Sequence, residues 1–388
     1  MGHILGIPRE RKLAERRVSL TPKGVSYLTQ KGIQVLIEKD AGLLSGFKNE
    51  DYQQAGGFVT KRNEIWKNSF LIKKVKEPIA EEFSFFKANQ IIFTYLHLAS
   101  PQARLLIDAL IKSKTTAIAY ETIEKDQDTP LLRPMSEVAG TLAAYYGAVF
   151  ERFIRVEQGQ IHGLEVAKAE IERVVFQYPL VPEYLRYRGK VVVLGGGHVG
   201  EKSALMAAKM GADVFVSEIS QERKIFLENQ FSKQNLTIKL INPLQSEEYT
   251  GHLTSANVII ASVHAPGKRA PMVIDEALLS QISRLNHKII LDIAIDQGGN
   301  VAQSYPVDYE KLLYLDRYRN LRFSVTNVPS LCGPGASATL ESNSLLYTEA
   351  LLNGLNVAVE KYPELKGGIN VLGGKVVHPA VCEAHNIR

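Results

Sequence analysis

Three glycines and an acid mark a place where this chain could hold a dinucleotide. Gly195, Gly197 and Gly200 form a G-x-G-x-x-G run directly after the β-branched segment Val191–Leu194. In a strand–turn–helix, the first glycine permits the tight turn and the second lets backbone amides approach a pyrophosphate. The third allows the helix to pack close to the strand. The helix start then offers unpaired N–H groups to the anion. A lone run of this kind is weak, because any glycine-rich turn can match it. Here a helical pattern over Glu201–Met210 closes at Gly211, and a further strand, Asp213–Ser217, ends at Glu218. An acid about 20 residues beyond the loop is placed to accept hydrogen bonds from the adenosine ribose. Its carboxylate would repel a 2′-phosphate and so favours NAD over NADP, a preference tempered by Arg223 and Lys224 nearby.

A dinucleotide fold does not identify a substrate, so a second set of polar residues matters more. Arg17 follows the charged stretch Arg9–Arg16, Lys76 closes the strand-like run Phe70–Val75, and His97 closes Gln90–Tyr95. In open α/β sheets, ligands gather outside the carboxyl ends of the strands. Cationic groups converging there suit a small carboxylate. Taken singly, a lysine at a strand end is usually solvated and a lone histidine usually structural.

The elements that must position these residues alternate along most of the chain. Ile4–Ile7, Gln34–Glu38, Phe70–Val75, Gln90–Tyr95 and Thr116–Tyr120 read as strands, with helices predicted at Pro22–Gln30 and Pro101–Lys112. Each helix opens on a proline, where the missing N–H costs nothing, with Thr21 and Ser100 as N-caps. Met135–Val156 reads as one long helix, and Glu157–Arg188 as a less regular stretch. Strands then recur at Val191–Leu194, Asp213–Ser217, Thr237–Ile241, Val258–Ser262, Ile289–Ile293 and Phe323–Thr326. A second long helix, Ala336–Asn353, precedes a tail of Gly-rich turns. Such alternation predicts an α/β fold of two doubly wound domains, the second a Rossmann dinucleotide-binding domain. The tail helix is poorly explained by the second sheet, so the C-terminal segment is expected to complete the first domain. The expected division is 1–134 with 336–388 for the substrate domain and 135–335 for the NAD-binding domain.

Bulk composition excludes several function classes. The 388 residues carry a net charge of only +5, with 45% apolar and 22% charged residues, which suits an ordinary globular protein and argues against a nucleic-acid role. Two cysteines, Cys332 and Cys382, cannot build a disulfide framework or a zinc cluster, so no metal is expected and a reducing cytoplasm fits. The N-terminal stretch turns charged almost at once and lacks the apolar run of a signal peptide. The longest apolar runs are too short to span a bilayer, so no membrane association is expected.

Read together, the motifs resemble the alanine dehydrogenase family. The resemblance is carried by Ile7-Pro8, Glu15-Arg16-Arg17-Val18, Leu20-Thr21-Pro22, Val75-Lys76-Glu77-Pro78, Phe93–Ala99, Ala119–Thr122 and Pro134–Gly140. The glycine loop and Asp292–Gly299 continue it, with a weaker match through Asn327-Val328-Pro329 and Thr339-Leu340. It implies an NAD-dependent enzyme that interconverts L-alanine with pyruvate and ammonia, working in the cytoplasm as a homo-oligomer. It further implies roles for single residues. Arg17 would hold the substrate carboxylate through a bidentate pair, and Lys76 would hydrogen-bond the 2-oxo group and stabilise charge developing there. His97 would move protons as the carbinolamine forms and collapses. Asp296 would reach the site from the nucleotide side to orient water or hold the amine, and the choice of His97 or Asp296 as principal acid–base stays open. Glu121 and Ser136 would support the site or the cofactor, and Asn327 would lie near the nicotinamide.

Two stretches depart from the family pattern: Phe150–Arg188, charged and aromatic, and Pro329–Gly335. Two other readings use the same architecture. One is an opine-type dehydrogenase similar to saccharopine dehydrogenase, acting on a larger amino acid. The other is a nucleotide-binding subunit similar to the transhydrogenase alpha chain, which has no evident reason to keep Arg17, Lys76 and His97.

Overall fold

The computed structural model describes residues 3–176, 178–180, 183–265 and 269–387. The chain divides into two compact units, Met1–Met135 with Gly333–Arg388 and Ser136–Cys332.

In the first unit, six parallel strands lie in the order Phe58–Thr60, Val35–Glu38, Leu5–Ile7, Leu71–Lys73, Ile91–Thr94 and Thr116–Ala119. Numbered by sequence this is 3-2-1-4-5-6, the doubly wound order, with its switch point between Leu5–Ile7 and Leu71–Lys73. Most of these strands are buried along their length and read as continuous apolar runs, as expected where helices cover both faces of a parallel sheet. Helix Arg104–Ser113 buries Leu106, Ile107 and Leu110 in a core shared with Trp66, Ile72, Ile92 and Val371. From the C-terminal segment, Ile369–Leu372 runs antiparallel beside Thr116–Ala119, and Lys375–Val376 extends that edge. Helix Gly333–Leu351 also belongs here. Its Ser337 accepts the Val18 N–H at 2.9 Å, and its Glu341 accepts the N–H and hydroxyl of Thr21 at 2.5 and 3.0 Å.

That last contact corrects the expected cap. Thr21 does precede helix Pro22–Thr29, but its hydroxyl is committed to Glu341 and makes no capping bond. Ser100 likewise turns to Gln102 and caps nothing, and the helix expected at Pro101 splits into a 3-10 turn, Pro101–Ala103, followed by Arg104–Ser113. A hydroxyl before a helix caps it only when no stronger or nearer partner competes.

The second unit repeats the topology. Ile238–Ile241, Asp213–Ser217, Lys190–Leu194, Val258–Ala261, Ile289–Asp292 and Leu321–Phe323 are parallel in that order, again 3-2-1-4-5-6, and Tyr314–Leu315 adds an antiparallel edge. The expected strand Phe323–Thr326 ends earlier, at Phe323, and Val325 makes only an isolated bridge to Val307. The long helix spans Arg133–Phe153. The stretch expected to be irregular contains a hairpin, Arg155–Glu157 with Gln160–His162, and helix Leu164–Phe176. Gln158 and Gly159 form the turn, both with φ positive (49° and 78°), as a two-residue hairpin of this hand requires. The helix buries Ala167, Ile171 and Val174, an i, i+4, i+7 stripe already present in the sequence.

Candidate active site

The carboxyl edge of the first sheet gathers the substrate-type residues. The loop after Leu5–Ile7 brings Glu10, Glu15 and Arg17, the end of Leu71–Lys73 leads to Lys76, and the end of Ile91–Thr94 leads to Tyr95 and His97. Arg17 is buried, and its guanidinium is clasped along one edge by Glu15: Nε and Nη2 each donate at 2.7 Å, and the Arg17 backbone N–H adds a third bond at 2.9 Å. Nη1 lies 3.3 Å from the Met135 sulfur. Glu15 thus occupies the Nε–Nη2 edge of the guanidinium. Glu15 was visible only as a member of a motif, with no role attached.

Lys76 is fixed through its backbone. The buried carboxylate of Glu10 accepts the Val75 N–H at 2.6 Å and the Lys76 N–H at 3.3 Å. Lys74 lies 3.4 Å from Glu10 and 3.2 Å from Glu82, and Glu82 accepts the Ile79 N–H at 3.0 Å. Burial works against the Lys74 ammonium, but the two acids outweigh it and hold its pKa above the usual lysine value. This buried triad ties the strand end to the turn beyond it and so sets where the Lys76 side chain starts. Burial, and then the charge of Arg17, push the Lys76 pKa below its ordinary value.

His97 adopts a left-handed conformation, φ 49°, unusual for a non-glycine residue. Glu121, just past the strand Thr116–Ala119, stabilises it by accepting the His97 N–H at 2.6 Å and the Leu96 N–H at 3.2 Å. The same carboxylate lies 3.9 Å from His97 Nδ1, and the imidazole is 45% exposed. Tyr95 connects the group. Its ring lies parallel to His97 at 6.1 Å between centroids and edge-on to Tyr120 at 4.9 Å, while its hydroxyl donates to Leu131 O at 2.5 Å. Tyr95 also bears on the charge of Arg17. Arg17, Lys76, Tyr95 and His97 thus form one neighbourhood, and sequence reasoning missed Tyr95 because an aromatic within a strand reads as core.

In the second unit, the glycine loop is built for close approach. Gly195 has φ 88°, and a Cβ on Gly200 would stand 1.8 Å from Gly195 O, so only glycine lets the helix His198–Lys209 start there. A Cβ on Gly197 would meet nothing within 4 Å, so the space over the helix N-terminus is open to a ligand. The open loop beside twelve residues of aligned helix fits a pyrophosphate. Glu218 sits at the end of Asp213–Ser217, with Oε2 accepting the Gly196 N–H at 2.9 Å and Oε1 accepting from Ile219 and Ser220 at 2.8 Å each. Arg223 donates to Gly196 O at 2.6 Å and pairs with Glu201 at 2.5 Å, which holds its charge against the loop. Ser136 lies one turn before Gly140 on helix Arg133–Phe153. There the helix packs on the loop's own helix, with the Ser203 hydroxyl 3.1 Å from Gly140 O and 2.9 Å from Val199 O.

Asp296 and Asn327 come together. Asp296 lies on the 3-10 turn Ile295–Gln297 after strand Ile289–Asp292, and its carboxylate accepts the Asn327 N–H at 3.0 Å, with Asn327 itself at φ 54°. Beyond the turn the chain is tied back to the strand end by Asp292, which is buried and accepts from the Asn300 and Val301 amides and from the Ser304 hydroxyl at 2.9, 3.1 and 2.6 Å. Asn300 in turn pins the loop after Val258–Ala261 through Val263 N and O at 2.8 and 3.0 Å. Neither Asp292 nor Asn300 carried a role in the sequence reading, although Asp292 opens the motif that contains Asp296.

Comparison with known proteins gives this geometry its context. The family profile described as alanine dehydrogenase/PNT, N-terminal domain, matches residues 6–139, and its C-terminal counterpart matches residues 183–379. An alanine dehydrogenase of Staphylococcus saprophyticus subsp. saprophyticus is 34% identical over 387 residues, covering 99% of this chain and 97% of the relative. A solved L-alanine dehydrogenase superimposes with a TM-score of 0.83 at 34% identity, covering 98% of this chain and 99% of that one. A transhydrogenase from Sinorhizobium meliloti shares the fold, with a TM-score of 0.75 at 20% identity over 97% of this chain and 99% of that one. With both profiles matched and a relative aligned along almost its whole length, this chain belongs to the alanine dehydrogenase/PNT family.

Proposed function

We propose that this protein is an alanine dehydrogenase, converting L-alanine, NAD and water to pyruvate, ammonium, NADH and a proton, and running the reverse reductive amination. The observation that carries this reading is the neighbourhood of Arg17, Lys76, Tyr95 and His97 at the carboxyl edge of one doubly wound sheet, in a chain of this family. The opine-type and transhydrogenase readings are not favoured beside near full-length relatives that are alanine dehydrogenases.

The nicotinamide dinucleotide supplies the hydride acceptor when bound. Gly195 and Gly197 would let the loop cradle its pyrophosphate while Gly200 lets the helix start close behind, Glu218 would take the adenosine ribose and select NAD, and Ser136 and Asn327 would support it. Arg17 receives the substrate carboxylate at the guanidinium end away from Glu15. Lys76 donates to the developing 2-oxo oxygen and stabilises its charge. His97 removes a proton from the water that adds to the imino acid and returns one to the departing amine. Glu121 holds His97 in the strained conformation that presents its ring. Asp296, anchored by the Asn327 amide, orients the amine or water. Neither Cys332 nor Cys382 forms a disulfide among the described residues, which suits a reducing cytoplasm, and a homo-oligomer accords with the family.

The test is substrate-dependent nucleotide chemistry. NADH oxidation is expected with pyruvate plus ammonia, and not with 2-oxoglutarate plus lysine or with a nucleotide acceptor alone. Turnover confined to either of the last two conditions would overturn the reading.

A further inference from the structure

Glu15 is as deeply placed as any ionisable group in the first unit: its side chain is 0% exposed and that of Arg17 is 2%. Three donors of one residue converge on it, two from the guanidinium and one from the backbone. A guanidinium held this way cannot swing, and its charge is matched before any substrate arrives. The charges around Lys76 are distributed differently. Two of the acids near it have a cation each, Glu15 with Arg17 and Glu77 with Lys12, and Glu10, which faces the Lys76 amide, shares Lys74 with Glu82. Among the described residues none of these ion pairs includes the Lys76 ammonium.

We propose that Glu15 is a positioning residue for carboxylate recognition: it fixes Arg17 along the Nε–Nη2 edge and cancels its charge, leaving Lys76 to supply the net attraction for the substrate anion. This deepens the alanine dehydrogenase reading and rests on it. A preset guanidinium gives direction without reorganisation on binding. The anion then binds best while Lys76 keeps its proton. Burial, Arg17 and Lys12 favour loss of that proton, while Glu15 and Glu77 oppose it. Substrate affinity therefore falls as pH rises through the lowered lysine pKa, and removing the charge of Glu15 moves that fall to lower pH.

The experiment measures inhibition by oxamate, a non-reacting isostere of pyruvate, of pyruvate amination by the whole enzyme from about pH 6 to about pH 10. Glu15→Gln is expected to move the alkaline loss of oxamate affinity down by about one pH unit. Glu15→Asp keeps the charge but shortens the reach, so the pH profile should stay in place while the pyruvate KM rises about ten-fold. The NADH KM should be unchanged in both, which reports a folded nucleotide unit. An unshifted profile in Glu15→Gln, or an unchanged pyruvate KM in Glu15→Asp, overturns the assignment. If Glu15→Gln does not fold, the Glu15→Asp result decides alone. A wild-type enzyme that fails to aminate pyruvate overturns the underlying reading instead, so the two failures are told apart.

Discussion

At the scale of single residues, His97 and Glu218 have separable tasks. His97 is presented to solvent by a left-handed backbone that Glu121 secures, so its imidazole can exchange protons while its main chain stays fixed. His97→Ala should lower kcat by about 10²–10⁴-fold, the range of a lost general acid–base, while the NADH KM stays near wild type. Steady-state kinetics with each substrate varied in turn checks this, and an unchanged kcat would remove His97 from the mechanism. Glu218 has its carboxylate on the Gly196, Ile219 and Ser220 amides at the end of its strand. Glu218→Ala should narrow the preference for NAD over NADP, read as the ratio of kcat/KM for the two, and a constant ratio would count against the ribose contact. At this scale the sequence exposed the types of the reacting groups but not their partners. Glu15 and Glu10 lie in a charged stretch that composition reads as solvated surface, and only the fold shows that both are buried against cations.

At the scale of elements, the strand–loop–helix around Gly195–Gly200 separates two uses of glycine. Gly200 serves the fold, since a Cβ there would overlap Gly195 O. Gly200→Ala should lower the thermal midpoint and stability by roughly 2–4 kcal/mol, as overpacking against a rigid backbone does. Gly197 has an ordinary φ of −65° and open space at its Cβ, so Gly197→Ala should leave the melting temperature nearly unchanged while weakening NADH binding. Calorimetry and NADH fluorescence titration on both variants distinguish the uses, and equal loss of stability in the two would contradict them. The parallel strands were legible because both-face burial writes continuous apolar runs. Helix Leu164–Phe176 aside, the elements missed were short or marginal ones. Phe58–Thr60 is a three-residue edge strand, and the hairpin at 155–162 has two exposed three-residue arms whose signal lies in the turn Gln158-Gly159. The strand Ile369–Leu372 pairs with a partner about 250 residues away in sequence, which no local pattern reveals.

At the scale of the whole molecule, stability carries a legible pH dependence. Lys73, the last residue of strand Leu71–Lys73, is fully buried, its Nζ has no hydrogen-bond partner among the described residues, and burial brings its pKa down to about 8. The unfolded chain keeps that proton up to about pH 10.5, so between these values the folded state binds fewer protons and stability rises with pH. Below pH 8 the full cost applies, about 3 kcal/mol. Lys73→Met should therefore raise the melting temperature near neutral pH and flatten its rise towards about pH 10. A melting temperature that falls at neutral pH would show that Lys73 contributes to stability through Glu341. The doubly wound class of both units was legible in the alternation of strand-like and helical patterns and the glycine loop in its motif, whereas the charge balance inside the first unit was not, because it depends on which long side chains turn inward. The central claim is that hydride leaves Cα of L-alanine for the nicotinamide. It is tested most directly by incubating the enzyme with NAD and L-alanine deuterated at Cα, then determining where the deuterium resides. The account predicts one deuterium in the reduced nicotinamide for each pyruvate formed. Deuterium released to solvent, or an unlabelled nucleotide, would contradict it.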